Sequence, residues 1–294
     1  MTRAMKQALP VAILAFLMPA IAAAAPFQTP EAVLAAAPAS DWQAMDPADT
    51  LYMDLAAGRV VILLAPGFAP KTVANIKALA REKYFDDASL LRSQDNYVVQ
   101  WSQEDKARKA AKASLKGFVE FDRPASNSLV RLPDHDTYAA QTGFDGDFPA
   151  GSDGKREWLL HCYGMVGAGR DNAADSGSGV ELYAVTGQSP RQLDRNITLV
   201  GRVVQGMELL SALPRGPVPM GFYAKPDQYT PIKSIKLASD VPAQDRLALQ
   251  FLKTDTKSFT AYVEARRNRH NDWFVRPAGA IDACNIPLPV RKAP

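Results

Sequence analysis

The alternation of hydrophobic and polar positions predicts a chain built mainly from short strands. Residues 51–66 contain two apolar runs on either side of Ala56-Ala57-Gly58, the pattern of a β-hairpin. Residues 69–85 instead predict a helix, because Pro70 suits a helix start and apolar side chains recur at helical spacing. These apolar positions are Val73, Ile76, Leu79 and Ala80.

Five further runs of apolar, β-branched and aromatic residues predict strands, at residues 97–101, 158–169, 181–187, 197–204 and 231–238. A short helix is predicted at residues 205–213. Many short strands, two helices and no repeated βαβ pattern indicate a mainly β, antiparallel architecture arranged as a barrel.

The segment LLRSQDNYVVQW, residues 90–101, raises a geometric question. Arg92, Tyr97 and Gln100 do not share one face of a regular strand, because alternate side chains point to opposite faces. The turn-forming residues 93–96 therefore predict a bend between them. From this segment alone, an edge strand with a solvated arginine is the alternative interpretation.

Other parts of the chain depart from the strand pattern. Residues 26–48 are rich in Ala and Pro and predict an extended lead-in. Residues 102–115 predict a short solvated helix or loop, and the Asp-, Gly- and Pro-rich region that follows, up to about Lys155, predicts irregular surface loops. Beyond Pro242, patchy helical periodicity predicts a C-terminal helical appendage that packs on the barrel, and prolines beyond Phe274 predict an extended tail.

The N-terminal residues have the layout of a secretory signal peptide. Arg3 and Lys6 precede an apolar run and a small-residue tail that contains the cleavage pattern Ala22-Ala23-Ala24. The apolar run is short and interrupted by prolines, so an uncleaved membrane anchor is the weaker alternative. We therefore predict that residues 1–24 are removed and that the protein is exported to the periplasm, without a membrane span after processing.

The charge balance does not indicate a nucleic-acid or anionic-membrane partner. The formal net charge is +3, of which the predicted signal peptide contributes +2, so the rest of the chain carries +1. Cys162, Cys284 and the three histidines are scattered without metal-ligand spacing. An oxidising compartment and a single pair of cysteines predict a Cys162–Cys284 disulfide. Two buried free thiols are the alternative.

Four parts of the chain occur together in an order and spacing typical of a known family. They are GRVVILLAPGFAPKTVANIKALAREKYF, then LLRSQDNYVVQ, then GMVGAGR with SGSGVELYAV, and then LDRNITLVGRVVQGMELL. Residues 50–238 thereby resemble the cyclophilin-type peptidyl-prolyl isomerases. The resemblance implies an eight-stranded antiparallel β-barrel with two packed helices over residues 50–240. A lead-in over residues 25–49 and a C-terminal helical extension over residues 241–294 would flank it.

The resemblance also implies a function for the arginine. The family has an arginine followed by an aromatic residue and a glutamine at the spacing of Arg92, Tyr97 and Gln100. Arg92 and Gln100 would be catalytic: the arginine contacts the prolyl bond, and the glutamine holds both the peptide backbone and the arginine. The residues that would bind the substrate proline are Tyr97, Val98, Tyr183 and Leu193.

The implied chemistry needs no cofactor and no metal. The barrier to rotation of an X–Pro bond, about 18–20 kcal/mol, comes from amide resonance and falls when the prolyl nitrogen becomes pyramidal. A fixed guanidinium can stabilise that geometry by hydrogen bonds. The expected partners are proline-containing peptides and proteins that fold outside the cytoplasm. The sequence does not indicate an oligomeric state.

Some positions depart from the family pattern. Gln192 stands where a tryptophan is usual, Ile197 where a histidine is usual, and Trp101-Ser102 replace a pair of glycines. The rim of the pocket is therefore altered. A catalytically weak or inactive proline-peptide binder or scaffold is the alternative function.

Other motif matches are weaker. The run GMVGAGR does not have the G-x-G-x-x-G spacing of a nucleotide-binding loop. Ser178 with His161 or His135 would suggest a hydrolase, but no G-x-S-x-G motif accompanies them. Taken singly, Tyr97 and Tyr183 also suit ordinary core positions.

Overall fold

The computed structural model describes residues 27–103, 113, 116–271 and 273–294. The described residues form four α-helices: α1 (Pro30–Ala36), α2 (Pro70–Arg81), α3 (Met207–Ser211) and α4 (Lys257–Arg267). The predicted signal peptide, residues 1–24, and nearly all of the excursion predicted at residues 102–115 lie outside the described residues. None of the helices in the described part of the chain is long and apolar enough to cross a membrane.

The strands fall into a barrel and two smaller sheets. The strands before the centre of the chain are β1 (Trp42–Ala44), β2 (Thr50–Leu55), β3 (Arg59–Leu64), β4 (Ser89–Ser93), β5 (Val98–Ser102), β6 (Arg123–Pro124), β7 (Val130–Arg131) and β8 (Gln141–Asp145). The later strands are β9 (Phe148–Ser152), β10 (Arg156–Leu159), β11 (Met165–Ala168), β12 (Glu181–Val185), β13 (Leu199–Gln205), β14 (Thr230–Leu237), β15 (Leu249–Leu252) and β16 (Val290–Lys292).

Eight strands close into a barrel in the order β11-β12-β5-β4-β14-β2-β3-β13. All neighbouring pairs are antiparallel, and β13 pairs with β11 to close the ring. The predicted hairpin is the β2–β3 pair, which turns at residues 56–58. The eight-stranded antiparallel barrel expected from the resemblance is therefore confirmed.

Alternate side chains fill the inside of the barrel because successive strand residues point to opposite faces. In β5, Val99 and Trp101 point into the core and are completely buried. The side chain of Val98 points to the opposite face of β5 and packs on the outside of the barrel with Tyr183 of β12. Trp101 therefore occupies a core position rather than the pocket rim.

Helix α2 covers one end of the barrel with the apolar face that its sequence predicts. Ile76 and Leu79 are completely buried in the same core as the strands. The helix start carries no side-chain cap of its own. Glu120 supplies one from a distant part of the chain, because its carboxylate accepts hydrogen bonds from the backbone N–H of Lys71, 2.9 Å, and of Thr72, 2.8 Å.

The region predicted as irregular surface loops forms a second sheet, and that prediction is wrong. Between β5 and β11 the strands order as β6-β10-β9-β8-β7. Glycines have a low strand propensity, so the sequence does not predict this sheet. The close packing of its strands nevertheless requires them. A Cβ atom at Gly143 would lie 2.0 Å from the carbonyl oxygen of Val130. Phe144 and Trp158 of this inserted sheet are buried.

The chain ends also contain more structure than predicted. The lead-in predicted as extended includes helix α1 and strand β1. In the C-terminal region the helix is confined to Lys257–Arg267, and residues 249–252, predicted as helical, form strand β15 instead. The order β1-β15-β16 joins the two ends of the chain in a three-stranded sheet. Local periodicity missed this sheet because β1 pairs with β15 across more than 200 residues.

The C-terminal region packs against both the inserted sheet and the outer wall of the barrel. Phe259 of α4 lies edge-on to Phe144 of β8, with ring centres 5.1 Å apart. Both belong to one apolar cluster with Val98 and Tyr183 of the barrel. The predicted disulfide is confirmed: Cys162, just before β11, is bonded to Cys284 near the C-terminus.

Candidate active site

The β4–β5 hairpin places Arg92 beside Gln100. The two residues are paired in register, and a shift in the register between Leu90 and Arg92 marks an irregularity in β4. The turn between the strands includes Asn96 with φ of 48°, a left-handed conformation that asparagine tolerates. The predicted bend is therefore present, and it brings Arg92 and Gln100 to the same part of the outer wall.

The guanidinium of Arg92 is fixed by three hydrogen bonds. Its Nη1 donates to the Oε1 atom of Gln100 at 2.7 Å, and its Nε donates to the carbonyl oxygen of Met220 at 2.6 Å. Its Nη2 donates to Oε1 of Gln94. An arginine has five N–H donors. Two N–H groups, one on each terminal nitrogen, are therefore left for a substrate.

Arg92 is buried, which an isolated cation rarely is. Burial lowers the pKa of Arg92, although the nearby Glu181 and Tyr97 act in the opposite direction. The arginine nonetheless remains charged, since its ordinary pKa is far above neutrality. Its Cζ atom lies 4.8 Å from the ring centre of Phe222 and 5.7 Å from that of Tyr97. The cation is thus held by carbonyl oxygens and aromatic faces.

Gln100 connects the arginine to a carboxylate. Its Oε1 accepts from Arg92, and its Nε2 donates to Oε1 of Glu181 on the neighbouring strand β12. These two contacts fix the orientation of the amide, because only the oxygen accepts and only the nitrogen donates. Glu181 also lies close to Gly169, where a Cβ atom would be 2.7 Å from the carboxylate oxygen.

A small cavity of about 90 Å³ lies against this group, on the outside of the barrel. Its walls come from strands β4, β5 and β12 and from the segments before β12 and β13. The lining residues are Arg92, Tyr97, Val98, Gln100, Gly169, Arg170, Glu181, Tyr183, Leu193 and Ile197. We call this cavity the arginine pocket. It combines apolar walls with two cations, Arg92 and Arg170, and one carboxylate, Glu181.

Tyr183, which lines the pocket, is anchored from behind by a buried histidine. His161 is completely buried, and its Nε2 lies 2.9 Å from the hydroxyl oxygen of Tyr183. Its Nδ1 lies 2.9 Å from Oδ1 of Asp194. A carboxylate only accepts, so Nδ1 carries a hydrogen that it donates to Asp194, and Nε2 is the atom that pairs with the tyrosine hydroxyl. Burial raises the pKa of Tyr183 well above its usual value, which keeps that hydroxyl protonated.

The same network continues into the inserted sheet region. Nε of Arg191 donates to Oδ2 of Asp194 at 2.5 Å. The two terminal nitrogens of Arg191 donate to both carboxylate oxygens of Asp136 at 2.8 and 2.9 Å. Fork-to-fork pairing of this kind fixes orientation as well as distance. The network therefore fixes the Tyr183 end of the pocket relative to the loop that contains Asp136.

The structure brings together all six residues singled out from the sequence. All six line the arginine pocket: Arg92, Tyr97, Val98, Gln100, Tyr183 and Leu193. Their roles remain predictions. Sequence reasoning missed Gln94, Met220 and the partnership of His161 with Tyr183. The sequence carries little signal for them, since Met220 acts through its backbone and His161 lies in a strand-free connection between β10 and β11.

The positions that depart from the family pattern are located as follows. Ile197 lines the pocket, so an apolar side chain stands where a histidine is usual. Gln192 is exposed and is not among the lining residues. The departure at Ile197 therefore adds an apolar side chain to the pocket wall, whereas the departure at Gln192 lies outside the lining of the pocket.

The rival motif interpretations do not fit the geometry. The GMVGAGR run is largely strand β11 rather than a phosphate-binding loop. His161 is paired with Asp194 and Tyr183, not with Ser178. The Ser178 hydroxyl is buried and has no hydrogen-bond partner among the described residues. Both ring nitrogens of His161 are thus paired with other residues, so this histidine does not activate Ser178.

The fold and the pocket together define a closed antiparallel β-barrel protein that presents a fixed arginine to a small apolar cavity. Comparison with known proteins gives the family. Residues 50–237 match the family described as cyclophilin type peptidyl-prolyl cis-trans isomerase/CLD. The chain therefore belongs to this family of enzymes.

Two curated relatives and one solved structure illustrate the similarity. A probable peptidyl-prolyl cis-trans isomerase of Brucella suis biovar 1 (strain 1330) is 26% identical over 178 residues, which cover 59% of this chain and 75% of the relative. The corresponding protein of Brucella abortus (strain 2308) is 25% identical over the same shares. The crystal structure of cyclophilin AquaCyp293 from Hirschia baltica has a TM-score of 0.66 and 23% identity, and covers 91% of this chain and 99% of its own. That match shows a shared fold.

Proposed function

We propose that this protein isomerises X–Pro bonds in polypeptides that fold outside the cytoplasm, with Arg92 as the electrostatic catalyst. Gln100 orients the arginine and the substrate backbone. Tyr97, Val98, Tyr183 and Leu193 hold the proline ring in the arginine pocket. The observation that carries the proposal is the buried guanidinium, fixed by three hydrogen bonds and left with two free N–H groups beside an apolar cavity.

The chemistry follows from this arrangement. Rotation about the X–Pro bond removes amide resonance and concentrates a lone pair on the prolyl nitrogen. A guanidinium N–H that is already oriented stabilises this lone pair, or the turning carbonyl oxygen, without reorganising. The apolar walls grip the ring while the residue before it rotates. Because the arginine is buried, its hydrogen bond is less screened by water than at an open surface.

Isomerisation of a proline tetrapeptide by the full chain tests the proposal. Arg92→Ala is expected to lower kcat/KM by roughly tenfold to a thousandfold, the effect of losing about 1.4–4 kcal/mol of transition-state stabilisation. Arg92→Lys is expected to fail as well, because an ammonium lacks the planar fork that contacts Gln100, Met220 and the substrate together.

Two measurements show whether the loss is specific to catalysis. Lys236→Ala removes a cation from the outer surface of β14 and is the control for a change of charge. Peptide binding by Arg92→Ala, measured by calorimetry, is expected to weaken much less than kcat/KM, since the pocket walls remain. Unchanged isomerisation by Arg92→Ala would contradict the role of the arginine.

A non-enzymatic proline-peptide binder is the second candidate. A specific observation favours it: Gln100 already donates to the Glu181 carboxylate, so only one of the two N–H groups of its amide is left for a substrate. Proline peptides that bind to the wild-type chain without isomerisation above the uncatalysed rate would establish the binder function in place of the enzyme.

Export supplies the setting of the proposed activity. The N-terminal layout of a signal peptide and the Cys162–Cys284 disulfide support it, because disulfides persist in oxidising compartments. Fractionation of cells that express the full chain, with sequencing of its N-terminus, tests it. We expect periplasmic protein that begins near Ala25. Unprocessed protein confined to the cytoplasm would refute export.

A further inference from the structure

A larger cavity lies away from the arginine pocket, between the end of α4, the C-terminal segment and the loop before β8. Its volume is about 610 Å³. The residues that line it are Asp134, His135, Arg266, Arg267, Arg269, Phe274, Arg276, Ala278, Ala280, Ile281, Asp282 and Asn285. We call it the arginine cleft. Four arginines face two carboxylates across it.

Part of this charge is already used within the protein. Arg267 donates to Oδ2 of Asp134 at 2.6 Å and pairs with Glu264 at 2.5 Å. Nη2 of Arg266 donates to the carbonyl oxygen of Asn285 at 3.1 Å. Asp282 accepts from the backbone N–H of Cys284 at 2.7 Å. These contacts build the walls of the cleft.

Besides Arg266, which forms no ion pair, two more arginines of the cleft lack a carboxylate partner among the described residues. In the described part of the chain, no carboxylate pairs with Arg269 or Arg276. The guanidinium of Arg269 lies 5.3 Å from the ring centre of Phe274, and this half-buried arginine is thus held over an aromatic wall. Glu31 lines a smaller neighbouring cavity together with Arg269 but forms no ion pair with it. The cleft therefore has an excess of positive charge beside the apolar side chains of Phe274 and Ile281.

The cleft is connected to the arginine pocket through one short loop. Asp134 holds Arg267 of the cleft, and Asp136, two residues further on, holds Arg191. Two extended residues span at most about 7 Å. Arg191 is in turn two residues from Leu193, which lines the arginine pocket. The two sites therefore adjoin the same loop, at residues 134–136.

We propose that the arginine cleft binds an acidic segment of a polypeptide, and that it is an accessory site for the polypeptides whose X–Pro bonds enter the arginine pocket. The second half rests on the proposed function. Guanidinium groups bind carboxylates through paired hydrogen bonds, and Phe274 and Ile281 contact the intervening apolar side chains. A concave cleft of this size admits an extended peptide, whereas the flat surface of a lipid bilayer does not enter it.

Binding of a fluorescein-labelled peptide of alternating Glu and Ala, without proline, tests the site directly by anisotropy. The full wild-type chain is expected to bind it and to release it as the salt concentration rises. Arg269→Ala with Arg276→Ala is expected to weaken binding about tenfold. The variant that keeps both charges, Arg269→Lys with Arg276→Lys, is expected to retain most of the affinity.

Matched controls assign the effect to the cleft. Lys233→Ala with Lys236→Ala removes the same charge from the exposed side of β14 and is expected to leave peptide binding unchanged. A peptide of alternating Gln and Ala is expected not to bind. Equal binding of the acidic peptide to wild type and to the Arg269→Ala/Arg276→Ala variant, or no binding to either, would overturn the proposal. Binding to vesicles of anionic lipid but not to the peptide would also overturn it.

The accessory role is measured separately with substrates. A proline peptide that continues into an acidic segment is expected to have a lower KM than one that continues into a neutral segment, and only the Arg269→Ala/Arg276→Ala variant is expected to lose this difference. Its kcat/KM on a short neutral tetrapeptide is expected to equal that of wild type. If the wild-type chain isomerises nothing, the proposed function fails while the binding assay still decides the cleft. If both substrates have the same KM, the accessory role is wrong.

Discussion

At the scale of single residues, the polar side chains of the arginine pocket are held by partners from distant parts of the chain. The backbone of Met220 holds Arg92, 128 residues away in sequence. His161 holds the hydroxyl of Tyr183 at 2.9 Å and is itself held by Asp194. Removing the side chain that pairs with a buried polar atom leaves that atom without a hydrogen bond, which costs more than the hydrogen bond itself contributes.

Tyr183→Phe separates the hydroxyl from the ring. We expect it to lower the free energy of unfolding by about 1–3 kcal/mol, because Nε2 of His161 loses its partner in a dry environment. The ring still lines the pocket, so peptide affinity is expected to change little. Urea unfolding measures the first effect and calorimetry the second. Tyr97→Phe is the matched control, since the Tyr97 hydroxyl has no hydrogen bond among the described residues; equal stability of the two variants would contradict this role of His161.

At the scale of elements, the connection between α3 and β14 forms one side of the site around Arg92. Its backbone accepts from Arg92 at Met220 and from Gln94 at Pro219, at 2.6 and 3.2 Å. Met220 and Phe222 are exposed beside the arginine. Gln94 binds both the guanidinium and this connection, and it adds to the side-chain contacts of Arg92 and Arg215 that join the two elements.

Gln94→Ala is expected to lower kcat by about two- to tenfold with little change in KM, because the arginine loses a positioning hydrogen bond but the proline pocket is untouched. Gln94→Glu keeps an acceptor for Arg92 and is expected to restore most of the rate. Steady-state kinetics on a tetrapeptide measure both. Gln188→Ala, at an exposed glutamine, is the control. A rate that Gln94→Glu does not restore would show that Gln94 acts on folding rather than on the arginine.

At the scale of the whole molecule, the barrel, the inserted sheet and the chain ends are joined through a few buried contacts. One is the disulfide between Cys162 and Cys284, which closes 122 residues of chain. Another is the ion pair at 2.8 Å between Asp147, at the β8–β9 turn, and Arg202 of the barrel strand β13. Oδ2 of Asp147 is buried and has no partner in the described part of the chain. Burial raises the pKa of Asp147 from 3.8 to about 6.

This raised pKa predicts how stability depends on pH. Between pH 3.8 and about 6 the folded protein binds a proton at Asp147 that the unfolded chain has released, so the contribution of Asp147 to stability falls as the pH rises through this window. Asp147→Asn mimics the protonated acid. Its free energy of unfolding relative to wild type is therefore expected to increase by roughly 3 kcal/mol from about pH 4 to about pH 7.

Urea unfolding of both proteins at several pH values measures this difference. Asp227→Asn, at an exposed position, is expected to show no such trend relative to wild type. A difference between wild type and Asp147→Asn that stays constant with pH would mean that the pKa of Asp147 is the same in the folded and unfolded protein, and would contradict this prediction.

The sequence by itself determined the barrel and the composition of the arginine pocket. The hairpin at residues 50–64 and the apolar face of α2 depend on local periodicity, which short segments retain whatever surrounds them. The family resemblance carried by Arg92, Tyr97 and Gln100 predicted that they share one site, and the turn and strand register of one hairpin explain why they lie together.

Only the tertiary structure decided what lies around this hairpin. Strand β7 is only two residues long, and β8 and β9 contain glycine. This sheet forms because Phe144 and Trp158 find apolar partners on other elements. The pairing of His161 with Tyr183, the hold of Met220 on Arg92 and the excess charge of the arginine cleft all depend on contacts between residues far apart in sequence. Such contacts leave no periodic trace in the chain, since they are selected by packing in three dimensions rather than by neighbouring residues.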